Sequence, residues 1–131
     1  MNAEFIRAIK EIKDWDDMDG YQVTTDQHEY RVLIDNWQNC CEKWGYIASE
    51  DDLEGYVGAA LLEVRLTDTA LNTEILEQHD LTYFEEGSIQ FVDFVTDQGT
   101  FQLAVYNGHN GYYGHSIRVT KDAEVLLDGG L

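Results

Sequence analysis

Apolar residues recur every three or four positions over residues 2–15, where charged side chains separate Phe5, Ile9 and Ile12. This spacing is close to the 3.6-residue period of an α-helix, so it predicts an amphipathic N-terminal helix. The DWDDMDG segment that follows predicts the end of that helix at Gly20, because glycine often follows the last helical turn.

From residue 21 onward the pattern changes to short runs in which apolar and polar residues alternate, which is typical of β-strands. Turn-forming residues separate these runs, and Gly99 in the segment DQG is one example. The predicted strands are YQVTT, EYRVLID, ALLEVRLTD, SIQFVDFVTD, TFQLAVYN, YYGHSIRVTK and EVLLD.

Two further segments bear on the fold class. Ser49 is a suitable N-cap for a short helix near residues 50–57, and acidic residues occupy its first turn. Residues 70–87 fit either a helix or a loop. We therefore expect an α+β fold in one domain, residues 1–131. A mainly antiparallel sheet of about six to seven strands would cover residues 21–131, with the N-terminal helix and one or two short helices.

The segment YNGHNGYYGHS lies between two alternating runs, and Asn110-Gly111 within it is a strong signal for a β-hairpin. We therefore predict a hairpin with packed aromatic residues. By period two, His115 would face the core with Ile117 and Val119. As an alternative, the histidines and tyrosines of this segment would line a pocket for a small ligand. The residues for that alternative are His109, Tyr112, Tyr113 and His115.

Acidic residues dominate the charge of the chain: 26 of them face 8 lysines and arginines, for a net charge of −18. Such a charge repels nucleic acid and anionic membranes and attracts basic protein surfaces. Solubility or adaptation to high salt would also explain it. The candidate partner-binding residues are the acids of three clusters: Asp14, Asp16, Asp17, Asp19, Glu50, Asp51, Asp52, Glu54, Glu85 and Glu86.

The sequence offers no motif for catalysis or for a cofactor. Phosphate-loop, dinucleotide-binding, nucleophile-elbow and metalloprotease motifs are all missing, so we expect no enzyme, no catalytic residue and no cofactor. Cys40 and Cys41 are adjacent, and neighbouring residues on a strand point to opposite faces, so we expect no metal site. Two cysteines make no disulfide framework, and the first fifteen residues contain no long apolar run. We therefore expect a cytoplasmic protein.

Three segments in order, NCCEKWGYI, EDDLEGYVG and YNGHNGYYGHSIRV, resemble a small family of uncharacterised phage and prophage proteins. The shared positions are Gln38, Cys40, Cys41 and Glu42, then residues 51–58, then residues 110–113. The resemblance covers roughly residues 28 to 119. It implies a viral or mobile-element accessory protein, and it carries no catalytic residues.

Three functions remain open. The first is a phage-type inhibitor that binds the basic surface of a host nucleic-acid-handling or defence enzyme, such as a CRISPR effector, as a mimic of nucleic acid. The second is a protein that binds or sequesters a nucleotide signal through the Tyr/His/Asn-rich turn. The third is a non-catalytic structural subunit that associates through an exposed sheet edge.

Overall fold

The computed structural model describes residues 3–36, 43–50, 52–78, 86–109 and 115–131. The strands in this part of the chain are β1 (Glu4–Trp15), β2 (Met18–Thr25), β3 (Glu29–Asp35), β4 (Lys43–Ala48), β5 (Ala60–Thr67), β6 (Glu86–Thr96), β7 (Gly99–His109), β8 (Ser116–Lys121) and β9 (Glu124–Gly130). All neighbours pair antiparallel, in the order β4-β7-β6-β5-β1-β2-β3-β8-β9. The expected antiparallel sheet is therefore confirmed, with nine described strands.

The sheet folds over on itself into two facing layers. Strands β4 to β7 form one layer and β2, β3, β8 and β9 form the other, while β1 pairs with both β5 and β2. Strands β2 and β3 contact β4 and β7 across the interior. The main core lies between the layers, and the rings of Phe94 and Phe101 stack at its centre with centroids 5.0 Å apart.

The predicted N-terminal helix over residues 2–15 is wrong, because the described part of that segment is strand β1. Ile6 lies opposite Thr25 and Ala8 lies opposite Thr24, so one extra residue bulges out between them. The bulge returns the next side chains to the same face, and Ile6 and Ile9 both point into the core although they are three positions apart. A β-bulge thus produces the spacing that resembles a helical turn.

The α+β class is also wrong, since the protein is nearly all antiparallel sheet. Among the described residues of the segment 50–57, only Glu54–Tyr56 are helical, as a single 3-10 turn. In the described part of the ambiguous segment 70–87, residues Thr73–Gln78 form the short helix α1. Its Ile75 and Leu76 cover a second, smaller apolar cluster on the outer face of β4, β6 and β7.

The predicted hairpin between β7 and β8 is wrong as well. Strand β7 pairs with β4 and β6, whereas β8 pairs with β3 and β9, so the chain crosses from one layer to the other between them. Residues 110–114, which include the Asn-Gly pair, lie outside the described part of the chain. The predicted orientation of His115 is confirmed, because its side chain is buried together with Ile117 and Val119.

Candidate functional site

Asp16 and Asp17 form the turn of the β1–β2 hairpin, and Asp14 of β1 and Asp19 of β2 flank it. Asp14, Asp16 and Asp17 have positive φ angles of 54°, 54° and 60°, a conformation that aspartate tolerates better than most residues. The buried Asp19 accepts the backbone N–H of Asp14 at 3.0 Å, and Asn36 donates to the side chains of both residues at 2.6 Å and 3.1 Å. These acids belong to a β-hairpin rather than to the end of a helix.

The same turn presents carboxylates to solvent. The side chains of Asp14, Asp16 and Asp17 are exposed. The Asp16 carboxylate accepts a hydrogen bond from the Arg118 guanidinium at 3.3 Å. Asp19 is instead used inside the hairpin, with its other oxygen 3.7 Å from the Lys13 ammonium. Of the four aspartates predicted in this cluster, Asp14, Asp16 and Asp17 therefore remain on the surface.

A cleft of about 420 Å³ opens between β1, β4 and the segment that follows β4. We call it the tyrosine cleft, because Tyr21 of β2 and Tyr46 of β4 form part of its wall. Their rings meet edge to face, with centroids 5.2 Å apart. The carboxylates that line it are Glu11, Glu50, Asp52 and Glu54, and Lys10 is the cation in the lining.

Three carboxylates of the cleft accept hydrogen bonds from within the protein. Glu11 accepts the Tyr46 hydroxyl at 3.3 Å, and Glu50 accepts the Tyr56 hydroxyl at 2.8 Å. Asp52 accepts the backbone N–H of Glu54 at 3.0 Å, two residues on, in an Asx-type turn. Each of these contacts uses one oxygen, whereas an ionised carboxylate offers about four acceptor positions. The cleft therefore keeps acceptor capacity toward solvent.

Burial keeps the nearby phenols protonated. It raises the pKa of Tyr21 well above its usual value, and the negative charge of Glu11 adds to the effect. Burial followed by the hydrogen bond to Glu50 raises the pKa of Tyr56 to about 12. Both hydroxyls are therefore neutral donors at physiological pH, and the negative charge of the cleft resides on its carboxylates.

Lys13 connects the cleft to the hairpin turn. Its ammonium lies 4.9 Å from the centre of the Tyr46 ring and 3.7 Å from the Asp19 carboxylate. Contact with Tyr46 raises the pKa of Lys13, and the charges of Asp19 and Glu11 raise it further. Lys13 thus lies between Asp19 of the hairpin and Tyr46 in the wall of the cleft.

Glu86 does not lie close to the described acids Glu50, Asp52 and Glu54. Glu86 begins β6 and pairs with His109, at the end of the layer where β4 starts. Glu50 follows the other end of β4, which is roughly 17 Å away at about 3.3 Å per residue. Asp51 and Glu85 lie outside the described residues.

A second polar group surrounds His115 inside the protein. The Nδ1 atom of His115 lies 2.6 Å from Asp35 Oδ1, and its ring stacks on Trp44 with centroids 5.1 Å apart. The backbone N–H of Ser116 donates to the other Asp35 oxygen at 2.6 Å. The His115 side chain is only 1% exposed. We call this the His115 cluster.

The His115 cluster bears on the predicted ligand site. Asp35 and Trp44 hold the ring of His115 within the fold, at the junction of β3, β4 and β8. His109 ends β7, and Tyr112 and Tyr113 lie outside the described residues. That site stays a prediction.

The match to a protein family covers most of the chain, residues 4–119. The chain belongs to the DUF7448 family. That family is described as a domain of unknown function, so membership assigns no activity. No curated protein and no solved structure matches the chain.

The DUF7448 match includes both acidic groups and β1, whereas the resemblance noted from the sequence begins near residue 28. Within the described ranges, no three His, Cys, Asp or Glu side chains are grouped so as to hold a metal ion. Cys40 and Cys41 lie outside those ranges. No helix in the described part of this DUF7448 chain is long and apolar enough to cross a membrane.

Sequence reasoning missed three residues of the cleft. Glu11 was assigned to a helix, and nothing in the sequence indicated that Tyr21 and Tyr46 face the same opening. Ile9, Glu11 and Lys13 are two positions apart, so on a strand their side chains share one face. This spacing was the available signal for Glu11.

Proposed function

We propose that this protein is a non-catalytic binding protein that docks an acidic face on a basic surface of another protein. The acidic face consists of the exposed or half-exposed carboxylates around Lys13 and the tyrosine cleft: Glu11, Asp14, Asp16, Asp17, Glu50, Asp52 and Glu54. The observation that carries the proposal is the position of Lys13, whose ammonium lies between Asp19 of the hairpin and the Tyr46 ring in the wall of the acidic cleft.

The internal pairing of the cations supports the proposal. In the described ranges, most arginines and lysines lie within 4.0 Å of a carboxylate of the same chain. The pairs are Arg7–Asp26, Lys13–Asp19, Arg31–Glu29, Arg65–Asp93 and Arg118–Asp16. Most of the few basic side chains thus form ion pairs within the chain, and the net charge of −18 leaves many carboxylates without a basic counterpart. Such an excess attracts basic partners and speeds their association.

The partner class that we propose is a nucleic-acid-handling enzyme of a host cell, a CRISPR effector being one example. Its basic channel gives up counterions when phosphates enter, and a row of carboxylates would have the same effect. This proposal includes the phage or prophage origin that the sequence motifs suggest and a cytoplasmic setting. The protein would then act by occupying the channel in place of nucleic acid.

A competition experiment tests the proposed function. The protein is immobilised, a host lysate is passed over it at low salt, and the retained proteins are eluted first with duplex DNA and then with high salt. We expect retention of a nucleic-acid-binding protein that DNA displaces, since both ligands would use one basic channel.

A matched pair of variants provides the control. The cleft variant carries Glu11→Gln, Glu50→Gln and Glu54→Gln, and the remote variant carries Glu63→Gln, Asp68→Asn and Glu124→Gln. Both remove three charges from exposed or half-exposed positions. The proposal requires the cleft variant to retain less of the DNA-displaceable protein than the remote variant. Retention that DNA never displaces, or equal retention by both variants, would contradict it.

A further inference from the structure

The size of the tyrosine cleft suits one long side chain. Its volume of about 420 Å³ is equivalent to roughly fourteen water molecules at about 30 Å³ each. Ligand pockets in proteins begin at about 300 Å³. The described lining comes from residues 9–11 of β1, Tyr21 of β2, residues 46–48 of β4, residues 50 and 52–54, and Ile75 of α1. The cleft is therefore a depression between elements and not the gap beside a single loop.

The walls of the cleft combine aromatic rings with carboxylates. Tyr21 and Tyr46 supply the rings, and Glu11 and Glu50 have oxygens within hydrogen-bond distance of tyrosine hydroxyls beside the opening. A cation over a tyrosine ring gains from the ring quadrupole, and an adjacent carboxylate adds a charge-assisted hydrogen bond. An anion would meet four carboxylates and one ammonium in the same lining. The chemistry of the walls thus selects a cation.

The protein itself already places a cation at the margin of this site. The Lys13 ammonium lies 4.9 Å from the centre of the Tyr46 ring, while its side chain remains 63% exposed. The ring and the neighbouring carboxylates hold an ammonium in solvent contact without burying it. A cation that reaches deeper into the cleft, alongside Tyr46, would gain the same interactions with less competition from water.

A second cleft provides an internal comparison. It has a volume of about 350 Å³, and Glu4, Glu63, Glu124, Lys121 and Tyr30 line it together with apolar residues. The Glu4 carboxylate accepts the hydroxyls of Thr25 at 2.7 Å and Tyr30 at 3.0 Å. Carboxylates beside one tyrosine therefore occur in both clefts, and the second ring, in the Tyr21–Tyr46 pair, distinguishes the first.

We infer that the tyrosine cleft is the receptor for one arginine or lysine side chain of the partner protein. This inference rests on the proposed function and specifies where on the acidic face recognition occurs. The side chain would enter the cleft alongside Tyr21 and Tyr46, whose rings meet edge to face, and its cationic group would donate to Glu11 and Glu50. The surrounding acids would then contribute long-range attraction, while the cleft would fix the register of the partner.

Nuclear magnetic resonance titration tests the inference directly. The tyrosine ring signals of the full chain are followed while N-acetyl-arginine amide is added, and the titration is repeated with N-acetyl-citrulline amide, its neutral isostere. We expect saturable shifts of the Tyr21 and Tyr46 signals with the arginine compound only. Equal shifts with citrulline, or shifts spread over all exposed acids, would overturn the inference. Tighter binding of spermine than of N-acetyl-lysine and N-acetyl-arginine amides would overturn it in favour of a free polyamine.

Two variants separate the ring from the hydroxyl. Tyr46→Leu removes the aromatic face, and we expect the dissociation constant of the arginine compound to rise about fivefold. Tyr46→Phe keeps the face and loses the hydrogen bond to Glu11, so binding should stay within about twofold. The amide spectrum of each variant checks that it is folded. Equal binding by both variants would overturn the role of the ring.

The outcome also distinguishes this inference from the proposed function. If Tyr46→Leu retains the DNA-displaceable partner as well as Tyr46→Phe does, the acidic face still binds but the cleft is not the receptor. If the unsubstituted protein retains no such partner while arginine still enters the cleft, the proposed function fails and the cation site stands.

Discussion

The His115 cluster and the tyrosine cleft combine the same chemical groups in opposite ways. Each brings carboxylates close to aromatic rings and a basic side chain. In the His115 cluster, Asp35 contacts a histidine side chain that is 1% exposed. The carboxylates of the cleft instead line an opening to solvent. In the first region the protein supplies both partners of the interaction. In the second, its own Lys13 reaches only the margin. The difference indicates that the first region stabilises the fold and the second is available for binding.

The largest expected effect is the loss of stability on breaking the His115 cluster. Asp35→Ala removes the carboxylate next to His115 Nδ1, which keeps the Asp35 carbonyl oxygen at 3.0 Å, and it removes the acceptor of the Ser116 backbone N–H. Hydrogen bonds to charged groups contribute about 1.5–3 kcal/mol each, so we expect the free energy of unfolding to fall by about 3 kcal/mol. Chemical denaturation measures it. Asp128→Ala, at an exposed position on β9, is the control and should change little. A loss below about 1 kcal/mol in Asp35→Ala would show that this cluster does not stabilise the fold.

A smaller effect is expected at a second histidine–aspartate pair, which is exposed. His28 Nδ1 lies 2.6 Å from Asp122, the same distance as in the His115 cluster, but Asp122 is half exposed. The backbone N–H of Glu29, followed by the side chain of His28, lowers the pKa of Asp122 from 3.8. A lowered carboxyl pKa in the folded state contributes stability above the ordinary pKa and loses it as the pH falls through the folded value.

Asp122→Asn measures that contribution. We expect the variant to be less stable than the unsubstituted protein above pH 3.8, and the difference to disappear as the pH falls further. The loss at neutral pH should be smaller than for Asp35→Ala, because solvent screens an exposed pair. Unfolding followed across pH checks both points. A difference that grows in acid would contradict the assigned direction of the pKa shift.

The smallest effect on stability is expected from the cleft itself. The cleft variant with Glu11→Gln, Glu50→Gln and Glu54→Gln should differ from the unsubstituted protein by no more than about 0.5 kcal/mol, since exposed acids contribute little to folding. Relief of repulsion among like charges makes a small gain the expected direction. Thermal unfolding beside the remote variant checks this. A loss approaching that of Asp35→Ala would mean that the cleft acids are structural.

Local pattern predicted two of the hairpins correctly. The β2–β3 and β6–β7 pairs were evident, because alternation and turn residues such as Gly99 act over a few neighbouring positions. Strand β1 was mistaken for a helix because one bulged residue places Ile6 and Ile9 on one face. The bulge depends on pairing with β2, which the β1 sequence alone does not determine.

Long-range pairing explains the other errors. An Asn-Gly turn signal between β7 and β8 suggested a hairpin, but β8 finds its partner β3 about eighty residues earlier in the chain. For the candidate site, charge alone selected the exposed aspartates of the hairpin together with Glu50, Asp52 and Glu54. The tyrosine cleft remained hidden because it requires β1, β2 and β4 to be placed in space.

Binding of a short oligo-arginine peptide to the two triple variants tests the central claim most directly. Fluorescence anisotropy at low salt gives the dissociation constants. Three half-exposed ion pairs at about 0.5 kcal/mol each predict that the cleft variant binds about tenfold more weakly than the unsubstituted protein. The remote variant loses the same charge at a distance and should bind within about twofold. Equal weakening in both variants would contradict the account, because net charge alone would then explain binding.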